Sequence, residues 1–211
     1  MKTVIVANGS FTPTPDILSR LNTADMIIAA DGGASHLYAS GICPDVIIGD
    51  LDSIEADARA FFESKAVPVH TYPAQKDQTD TELCIDYAVN QGSAEIILTG
   101  VTGTRLDHTL ANVFLLRRLL KMDIKGSIVD AHNEIFITAC RLTVSGAPGE
   151  ILSVVPVSGR VTGLTLEGLE YPLTNKTISM GDTLGISNVF TGSTAQIRLD
   201  SGIVLIIKSA D

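Results

Sequence analysis

The first 130 or so residues alternate short, almost continuous apolar runs with segments of helical periodicity. Apolar runs without alternation are typical of strands covered on both faces, as in a parallel sheet. The predicted strands are Thr3–Ala7, Met26–Ala30, Asp45–Ile48, Val67–Thr71, Glu95–Thr99 and Ser127–Val129. The helical segments between them are Pro15–Leu21, Ala34–Ser40, Glu55–Ser64, Thr81–Asn90 and Asp107–Lys121. This order predicts a layered α/β domain with a largely parallel sheet.

Residues at the ends of these segments carry recognisable helix signals. Gly41 and Gly92 are expected to stop helices, and Thr79-x-x-Glu82 has the spacing of a capping box. Asp107 is a candidate cap for the last helix of this half. We expect the buried face of that helix to consist of Leu106, Leu110, Val113, Phe114 and Leu120.

The second half has a different period. Short β-type runs follow one another, separated by Gly, Ser, Asn and Asp, with no helical pattern. These runs are Leu142–Val144, Ile151–Val155, Val161–Leu166, Thr177–Ile178, Leu184–Ile186, Ala195–Leu199 and Ile203–Ile207. They predict a small β-sandwich or barrel. We therefore expect an α/β domain over residues 1–132 and an all-β domain over 133–211.

Composition limits the classes of partner. The net charge is −9 and the chain has no basic run, which argues against nucleic acid, and any phosphate substrate must bring its own cation. No apolar run reaches the length of a membrane span, and the apolar start is too short for a signal peptide. Cys43, Cys84 and Cys140 are too few and too widely spaced for a disulfide framework or a zinc site. Buried thiols in a reducing cytoplasm are the expectation, and with them a cytoplasmic protein.

Acidic residues gather where predicted strands end. Asp50 and Asp52 close the apolar run Val46–Ile48, and their charges would repel unless a cation held them. These two carboxylates favour a divalent-metal site. The alternative is a polar turn in which Asp52 or Ser53 caps the next helix. Because ligands of open α/β sheets bind outside the carboxyl ends of the strands, we expect these carboxylates at a ligand site.

Three further polar clusters fall at strand ends. Asp31-Gly32-Gly33 could bring backbone N–H groups to a phosphate, or be an ordinary tight turn. In the segment from Lys76 to Glu82, Thr79 and Glu82 are assigned to capping, which leaves Asp77 and Asp80 as candidate ligands and Lys76 as a phosphate contact. Arg105 lies in a Gly-containing loop, where it is a natural phosphate or base contact, and His108 follows at a helix start.

Taken in order, these motifs resemble the thiamine pyrophosphokinase family. The residues that carry the resemblance span nearly the whole chain: Ala30-Asp31-Gly32-Gly33-Ala34, Pro44-Asp45-x-x-x-Gly49-Asp50-Leu51-Asp52-Ser53, Asp77-x-Thr79-Asp80, Gly103-x-Arg105-Leu106-Asp107-His108-x-x-x-Asn112 and Gly185-Ile186-Ser187-Asn188. Lys76-Asp77 before the Thr-Asp pair is similar to the bacterial branch. The chain departs from some relatives in having no Trp, so an aromatic that stacks on thiamine there has no Trp counterpart here.

The resemblance implies transfer of a diphosphoryl group from ATP to the hydroxyl of thiamine, with release of AMP. It implies Mg²⁺ held by Asp50, Asp52 and Asp80, and catalytic roles for Asp50, Asp52, Asp77, Asp80, Lys76 and Arg105. The hydroxyl proton would pass to one of the four Asp, and the sequence leaves that choice open. ATP would bind Asp31, Gly32, Gly33, Lys76, Arg105, Asp107, His108 and Asn112. Thiamine would bind Ser187 and Asn188, with the β-domain forming a homodimer.

Two other functions fit the same motifs less well. One is a pyrophosphokinase for a different alcohol, such as a pterin. The other is a non-catalytic nucleotide sensor, although binding ATP alone does not need so many carboxylates.

Overall fold

The computed structural model describes residues 1–72 and 77–210. Two compact units, Met1–Ala131 and His132–Asp211, make up the chain. The division lies one residue from the predicted boundary between 132 and 133. None of the helices in the described ranges combines the length and apolar character that crossing a bilayer requires.

The first unit alternates strands and helices. In chain order they are β1 (Lys2–Val6), α1 (Pro15–Asn22), β2 (Met26–Ala30), α2 (Gly33–Ala39), β3 (Val46–Gly49), α3 (Ala56–Ser64), β4 (Val69–Thr71), α4 (Asp80–Asn90), β5 (Glu95–Thr99), α5 (Leu106–Lys121) and β6 (Lys125–Val129). The strands form a parallel sheet in the order β6-β5-β1-β2-β3-β4. The central strands are buried almost without interruption, as their continuous apolar runs predict.

The helix ends follow the sequence in most places. Gly41 and Gly92 take positive φ values of 69° and 86° after α2 and α4, the left-handed conformation in which helices commonly end. Thr79 caps α4 by accepting a hydrogen bond from the backbone N–H of Glu82 at 3.3 Å. The alternative interpretation, in which Asp52 or Ser53 caps α3, is wrong, because Glu55 occupies the cap position and makes no side-chain cap bond.

Helix α5 buries a different face from the predicted one. Its buried residues are Asn112, Leu116 and Leu119. Leu106, Leu110 and Phe114 are instead 67%, 47% and 49% exposed. Apolar residues run along more than one side of this helix, so periodicity alone does not select the side that packs. Asp107 is also not its cap, since Arg105 occupies that position.

The second unit is all-β. Its strands are β7 (Asn133–Thr138), β8 (Arg141–Ser145), β9 (Ile151–Pro156), β10 (Arg160–Glu167), β11 (Leu173–Ser179), β12 (Asn188–Val189), β13 (Thr194–Arg198) and β14 (Val204–Ser209). They form one antiparallel set in the order β12-β9-β14-β7 and another in the order β11-β10-β13-β8. Residues from both sets share one hydrophobic core, including Leu152, Leu166 and Ile197. This arrangement is a β-sandwich, and with the first unit it confirms the predicted fold class.

Three local predictions need correction. The predicted strand Leu184–Ile186 is a turn whose Leu and Ile are 57% and 45% exposed, and β7 was not predicted as a strand. Its burial lacks clean alternation, so the period-two signal is weak. Of the cysteines, Cys84 is buried whereas Cys43 and Cys140 are exposed, and no disulfide joins them in the described part of the chain.

Candidate active site

A cavity of about 910 Å³ opens at the carboxyl edge of the parallel sheet in the first unit. Its walls come from the loops after β1, β2, β3 and β5 and from the first turns of α4 and α5. Strand β1 lies between β2 and β5, so the strand order reverses beside it. Ligands of open α/β sheets bind at such a switch point, because the loops on its two sides diverge and leave a crevice.

Three carboxylates converge where β2 and β3 end, and those of Asp31 and Asp50 line the cavity. Asp31, Asp50 and Asp52 each offer an oxygen, and these oxygens all lie within 4.8 Å of one another. Asp31 is buried, Asp50 is half-buried and Asp52 is exposed. Among the described residues, this cluster differs from the expected ligand set, since it contains Asp31 in place of Asp80.

The neighbouring strands β2 and β3 bring these residues together. Asp31 directly follows β2, and its backbone N–H donates to the carbonyl of Ile48 in β3 at 2.9 Å. After β3 the chain turns sharply: Leu51 has a φ of 67°, and the carboxylate of Asp50 accepts from the backbone N–H of Asp52 at 3.3 Å. Asp31 itself has a φ of 47°. Non-glycine residues seldom adopt such values, and strained backbone of this kind concentrates at functional sites.

Burial raises the pKa of the Asp31 carboxyl group, and the nearby charges of Asp50 and Asp80 raise it further. Hydrogen bonds from the Ser53 side chain and the Gly32 backbone act in the opposite direction. One oxygen of Asp31, Oδ1, is buried without a hydrogen-bond partner among the described residues. A buried, unpartnered carboxylate oxygen beside two further carboxylates is costly as it stands, and a divalent cation would remove that cost. The residues therefore fit Mg²⁺, whose preferred ligands are oxygens of this kind.

The segment before α4 forms another part of the wall. Asp80 lines the cavity as the first residue of α4, together with Gln78 and Thr79, and Asp77 is exposed. The predicted phosphate contact Lys76 lies outside the described residues. Only half of the expected capping box is seen, because the carboxylate of Glu82 accepts from Arg118 Nη1.

Arg105 and Asp107 form an exposed ion pair at the start of α5. Arg105 Nη2 donates to Asp107 Oδ2 at 2.7 Å, and Nε donates to Oδ1 at 3.3 Å. This pairing raises the pKa of Arg105 and lowers the pKa of Asp107. His108 Nε2 lies 3.9 Å from the same Asp107 oxygen. All three residues line the cavity, and the guanidinium retains N–H groups for an anion.

Asn112 lies one turn further along α5 and is buried. Its Nδ2 donates to the carbonyl of Val101 at 2.8 Å, which fastens the loop after β5 to the helix. Gly32 and Gly33 are needed for packing. A Cβ on Gly33 would lie 2.0 Å from the carbonyl oxygen of Val6, and one on Gly32 would lie 2.3 Å from Asn8 Cγ. The predicted contact of these glycines with ATP stays a prediction.

The loop after β1 also lines the cavity, and the sequence reasoning missed it. Its residues are Ala7, Asn8, Gly9 and Ser10. The N–H groups of Gly9 and Ser10 donate to the carbonyls of Gly100 and Thr102 at 2.6 and 2.7 Å, which joins this loop to the one after β5. The signal was present, because Asn-Gly-Ser follows a buried strand as the other polar clusters do.

In the second unit, the predicted thiamine contacts Ser187 and Asn188 occupy very different environments. Ser187 is exposed, and its backbone N–H donates to Ser153 Oγ at 3.0 Å. Asn188 is buried, and its side-chain amide forms hydrogen bonds with both the backbone N–H and the backbone carbonyl of Tyr171. Its Oδ1 accepts from Tyr171 N at 2.9 Å, and its Nδ2 donates to Tyr171 O at 2.7 Å.

Comparison with known proteins relates both units to one family. The profile described as "Thiamin pyrophosphokinase, catalytic domain" matches residues 17–128. The profile described as "Thiamin pyrophosphokinase, vitamin B1 binding domain" matches residues 140–204. The thiamine pyrophosphokinase of Bacillus subtilis is 36% identical, with 100% of each chain covered. The chain belongs to the thiamine pyrophosphokinase family.

Solved structures of family members agree with this assignment. The crystal structure of the Bacillus subtilis thiamine pyrophosphokinase superposes with a TM-score of 0.91, at 34% identity and 100% coverage of both chains. That from Geobacillus thermodenitrificans gives 0.86 at 35% identity, covering 100% of this chain and 98% of the other. A more distant relative, thiamine pyrophosphokinase 2 of Arabidopsis thaliana, is 26% identical over 88% of this chain and 78% of its own. The catalytic-domain profile spans the acidic cluster, and the vitamin B1 binding profile spans Ser187 and Asn188.

Proposed function

We propose that this protein transfers the diphosphoryl group of ATP to the hydroxyl oxygen of thiamine, which yields thiamine diphosphate and AMP. The observation that carries the proposal is the convergence of Asp31, Asp50 and Asp52 where β2 and β3 end, with Asp31, Asp50, Asp80 and Arg105 lining one cavity. Acidic groups able to bind a cation, in one cavity with a guanidinium, suit a polyphosphate substrate. The family to which the chain belongs supports thiamine as the acceptor.

The reaction needs positioning and charge neutralisation more than covalent catalysis. The thiamine oxygen forms a bond to the β-phosphorus of ATP as the bond from that phosphorus to the α,β-bridging oxygen breaks. The bond electrons leave with AMP, and the hydroxyl proton passes to a base. Asp50, Asp52, Asp77 and Asp80 are the candidate bases, and all are carboxylates in or next to the site.

We assign Mg²⁺ to Asp31, Asp50 and Asp52, with Asp80, which lines the same cavity as Asp31 and Asp50, as a further ligand. When bound, Mg²⁺ would neutralise charge on the polyphosphate. Arg105, oriented by its bond to Asp107, donates N–H groups to phosphate oxygens. His108, Asn112, Gly32 and Gly33 complete the proposed ATP site, and Lys76 stays a predicted phosphate contact.

We further assign thiamine to the turn that contains Ser187 and Asn188, and we propose that the protein acts as a homodimer. The exposed apolar side chains of this unit support an interface here. Tyr171, Met180, Leu184 and Ile186 are each between 45% and 63% exposed. Sedimentation velocity over a range of protein concentrations measures the oligomeric state. A dimer supports the proposed homodimer, and a monomer at micromolar concentration contradicts it.

The activity is tested by incubating the purified protein with ATP, Mg²⁺ and thiamine and separating the nucleotides. We expect AMP and thiamine diphosphate in equal amounts. Hydroxymethylpterin in place of thiamine is the control acceptor, since the pterin alternative predicts AMP with it instead. ATP binding without AMP from either alcohol would support the nucleotide-sensor alternative.

A further inference from the structure

Arg118 joins helix α5 to two carboxylates of helix α4. Its Nη1 donates to Glu82 Oε1, and its Nη2 donates to Asp86 Oδ1. The three side chains are only 31%, 27% and 33% exposed, so solvent screens their attraction less than that of an open surface pair. Glu82 and Asp86 are four residues apart on one helix, where like charges repel, and the guanidinium fork compensates both charges at once.

The second oxygen of Asp86 extends this link toward the cavity. Asp86 Oδ2 accepts from Gln78 Nε2 at 3.0 Å. Gln78 precedes α4, and it lines the cavity beside Thr79 and Asp80. A chain of hydrogen bonds therefore runs from Arg118 through Asp86 to a residue of the cavity wall, although Arg118 is not itself among the described lining residues.

We propose that Arg118 is a positioning residue for the diphosphoryl transfer, acting through Asp86 and Gln78 on the segment that carries Asp77 and Asp80. This inference rests on the proposed function. Thr79 ties the segment to the first turn of α4, but that bond does not orient the side chain of residue 78. The hydrogen bond from Gln78 to Asp86 does orient the Gln78 side chain, because Arg118 holds the carboxylate of Asp86 in place.

The charge of Arg118 has a second, electrostatic effect on the segment that carries Asp77 and Asp80. Asp77, Asp80, Glu82 and Asp86 place four carboxylates within ten residues of the chain. Without the Arg118 charge, the negative charge of this segment would be less compensated, and the segment supplies Gln78, Thr79 and Asp80 to the cavity in which we place the anionic polyphosphate. We therefore expect loss of Arg118 to weaken ATP binding and slow turnover, in addition to any loss of stability.

The test compares Arg118→Met, Arg118→Lys, Gln78→Ala and the double variant of Arg118→Met with Gln78→Ala, and Arg117→Met is the matched control. Arg117 is the neighbouring arginine on the same helix and is exposed. For each variant, kcat and the KM for ATP are measured at saturating thiamine and Mg²⁺. Binding of a non-hydrolysable ATP analogue with Mg²⁺ is measured by calorimetry, and unfolding is followed by temperature.

We expect Arg118→Met to lower kcat/KM for ATP by on the order of tenfold or more, the range typical for residues that orient ligand-bearing groups. Gln78→Ala should reproduce most of that loss with an unfolding temperature close to that of the unchanged protein. Because both residues act through one link, the double variant should lose little more than Arg118→Met alone. Arg118→Lys, which keeps the charge without the fork, should recover part of the activity, and Arg117→Met should have no effect.

The proposal is overturned if Arg118→Met lowers the unfolding temperature while kcat and KM of the folded enzyme stay unchanged. It is equally overturned if the two single losses simply multiply in the double variant, since the residues would then act independently. If Arg118→Met does not fold, Gln78→Ala and Arg118→Lys still decide. Should the unchanged protein release no AMP with thiamine, the proposed function fails, whereas weaker binding of the ATP analogue by Arg118→Met would still support the positioning role.

Discussion

Gly49 lies directly against the side chain of Asp31. A Cβ added at position 49 would lie 2.8 Å from the Cβ of Asp31 and 3.1 Å from its Cα. The contact exists because Asp31 follows β2 and Gly49 ends the adjacent parallel strand β3, with the N–H of Asp31 bonded to Ile48. The absence of a side chain at the end of β3 thus lets the buried carboxylate that follows β2 approach the two carboxylates that follow β3.

Gly49→Ala should disturb the acidic cluster more than the fold. The added methyl group meets the Cβ and the backbone of Asp31, which cannot move aside cheaply, so we expect a loss of about 1–3 kcal/mol in stability. The activity of Gly49→Ala should fall further than the activity of a neutral surface variant, because Asp31 has to shift. Steady-state kinetics and thermal unfolding measure both effects. Gly159→Ala, where nothing lies within 4 Å, is the control and should change neither; unchanged kinetics for Gly49→Ala would contradict the assignment.

Asp31→Asn should stabilise the metal-free protein at neutral pH. Because the pKa of Asp31 in the folded protein is raised above its ordinary value of 3.8, the stability that the protonated carboxyl group contributes is fully present below that value and is lost as pH rises through the folded pKa. Asn keeps the shape, tolerates the φ of 47° and removes the charge. We expect a gain of about 1–3 kcal/mol at pH 7 and almost none at pH 3.

The same pair of proteins tests the cation. Mg²⁺ should raise the unfolding temperature of the unchanged protein and much less that of Asp31→Asn. Thermal scans in chelator and in excess Mg²⁺, at both pH values, make the comparison. An equal response of the two proteins to Mg²⁺ would remove Asp31 from the metal site.

Asp50→Ala and Asp52→Ala should each abolish most of the activity and leave the fold intact, since both residues lie on a partly exposed turn. Loss of a metal ligand costs several kcal/mol of transition-state stabilisation, about a thousandfold in rate. Asp57→Ala, an exposed acidic position at the start of α3, is the matched control. Near-normal turnover of either variant at saturating Mg²⁺ would rule out the metal assignment for that residue.

Arg105→Gln should raise the KM for ATP by roughly tenfold to a hundredfold, because a charged hydrogen bond contributes about 1.5–3 kcal/mol. Thermal stability should barely change, since the Arg105–Asp107 pair is exposed and such pairs add little. Arg59→Gln, which breaks an exposed pair with Glu63 on α3, serves as the control. An unchanged KM for ATP would show that Arg105 does not contact phosphate.

Substitutions at Ser187 and Asn188 should have different effects, since we expect Ser187 to bind thiamine and Asn188 to stabilise the fold. Asn188→Ala leaves the backbone of Tyr171 without its buried partner, so we expect a loss of about 1–3 kcal/mol in stability. Ser187→Ala should leave stability unchanged and raise the KM for thiamine. Kinetics with varied thiamine and thermal unfolding distinguish the two effects. If neither substitution alters the KM for thiamine, the assignment of thiamine to this turn is wrong.

Local sequence predicted the elements closely wherever one pattern dominated. Met26–Ala30 and Glu95–Thr99 match the observed strands residue for residue, because a continuous apolar run bounded by polar residues has few alternatives. Helix α5 shows the limit. Its length follows from periodicity, but apolar residues lie on several of its sides, and only packing selects Asn112, Leu116 and Leu119 as the buried ones.

Most of the polar residues that gather at the carboxyl edge of the sheet could be predicted from the sequence, since parallel strands bring their ends together whatever the details of packing, although the loop after β1 was missed. How these residues group depends on the tertiary structure. It brought Asp31 beside Asp50 and Asp52, through the contact of Gly49 across two strands, and it linked Gln78 to Arg118, forty residues away in the chain. Such groupings depend on strand order, turn conformation and helix packing. These features set the distances between residues of different elements, and a local sequence pattern does not encode those distances.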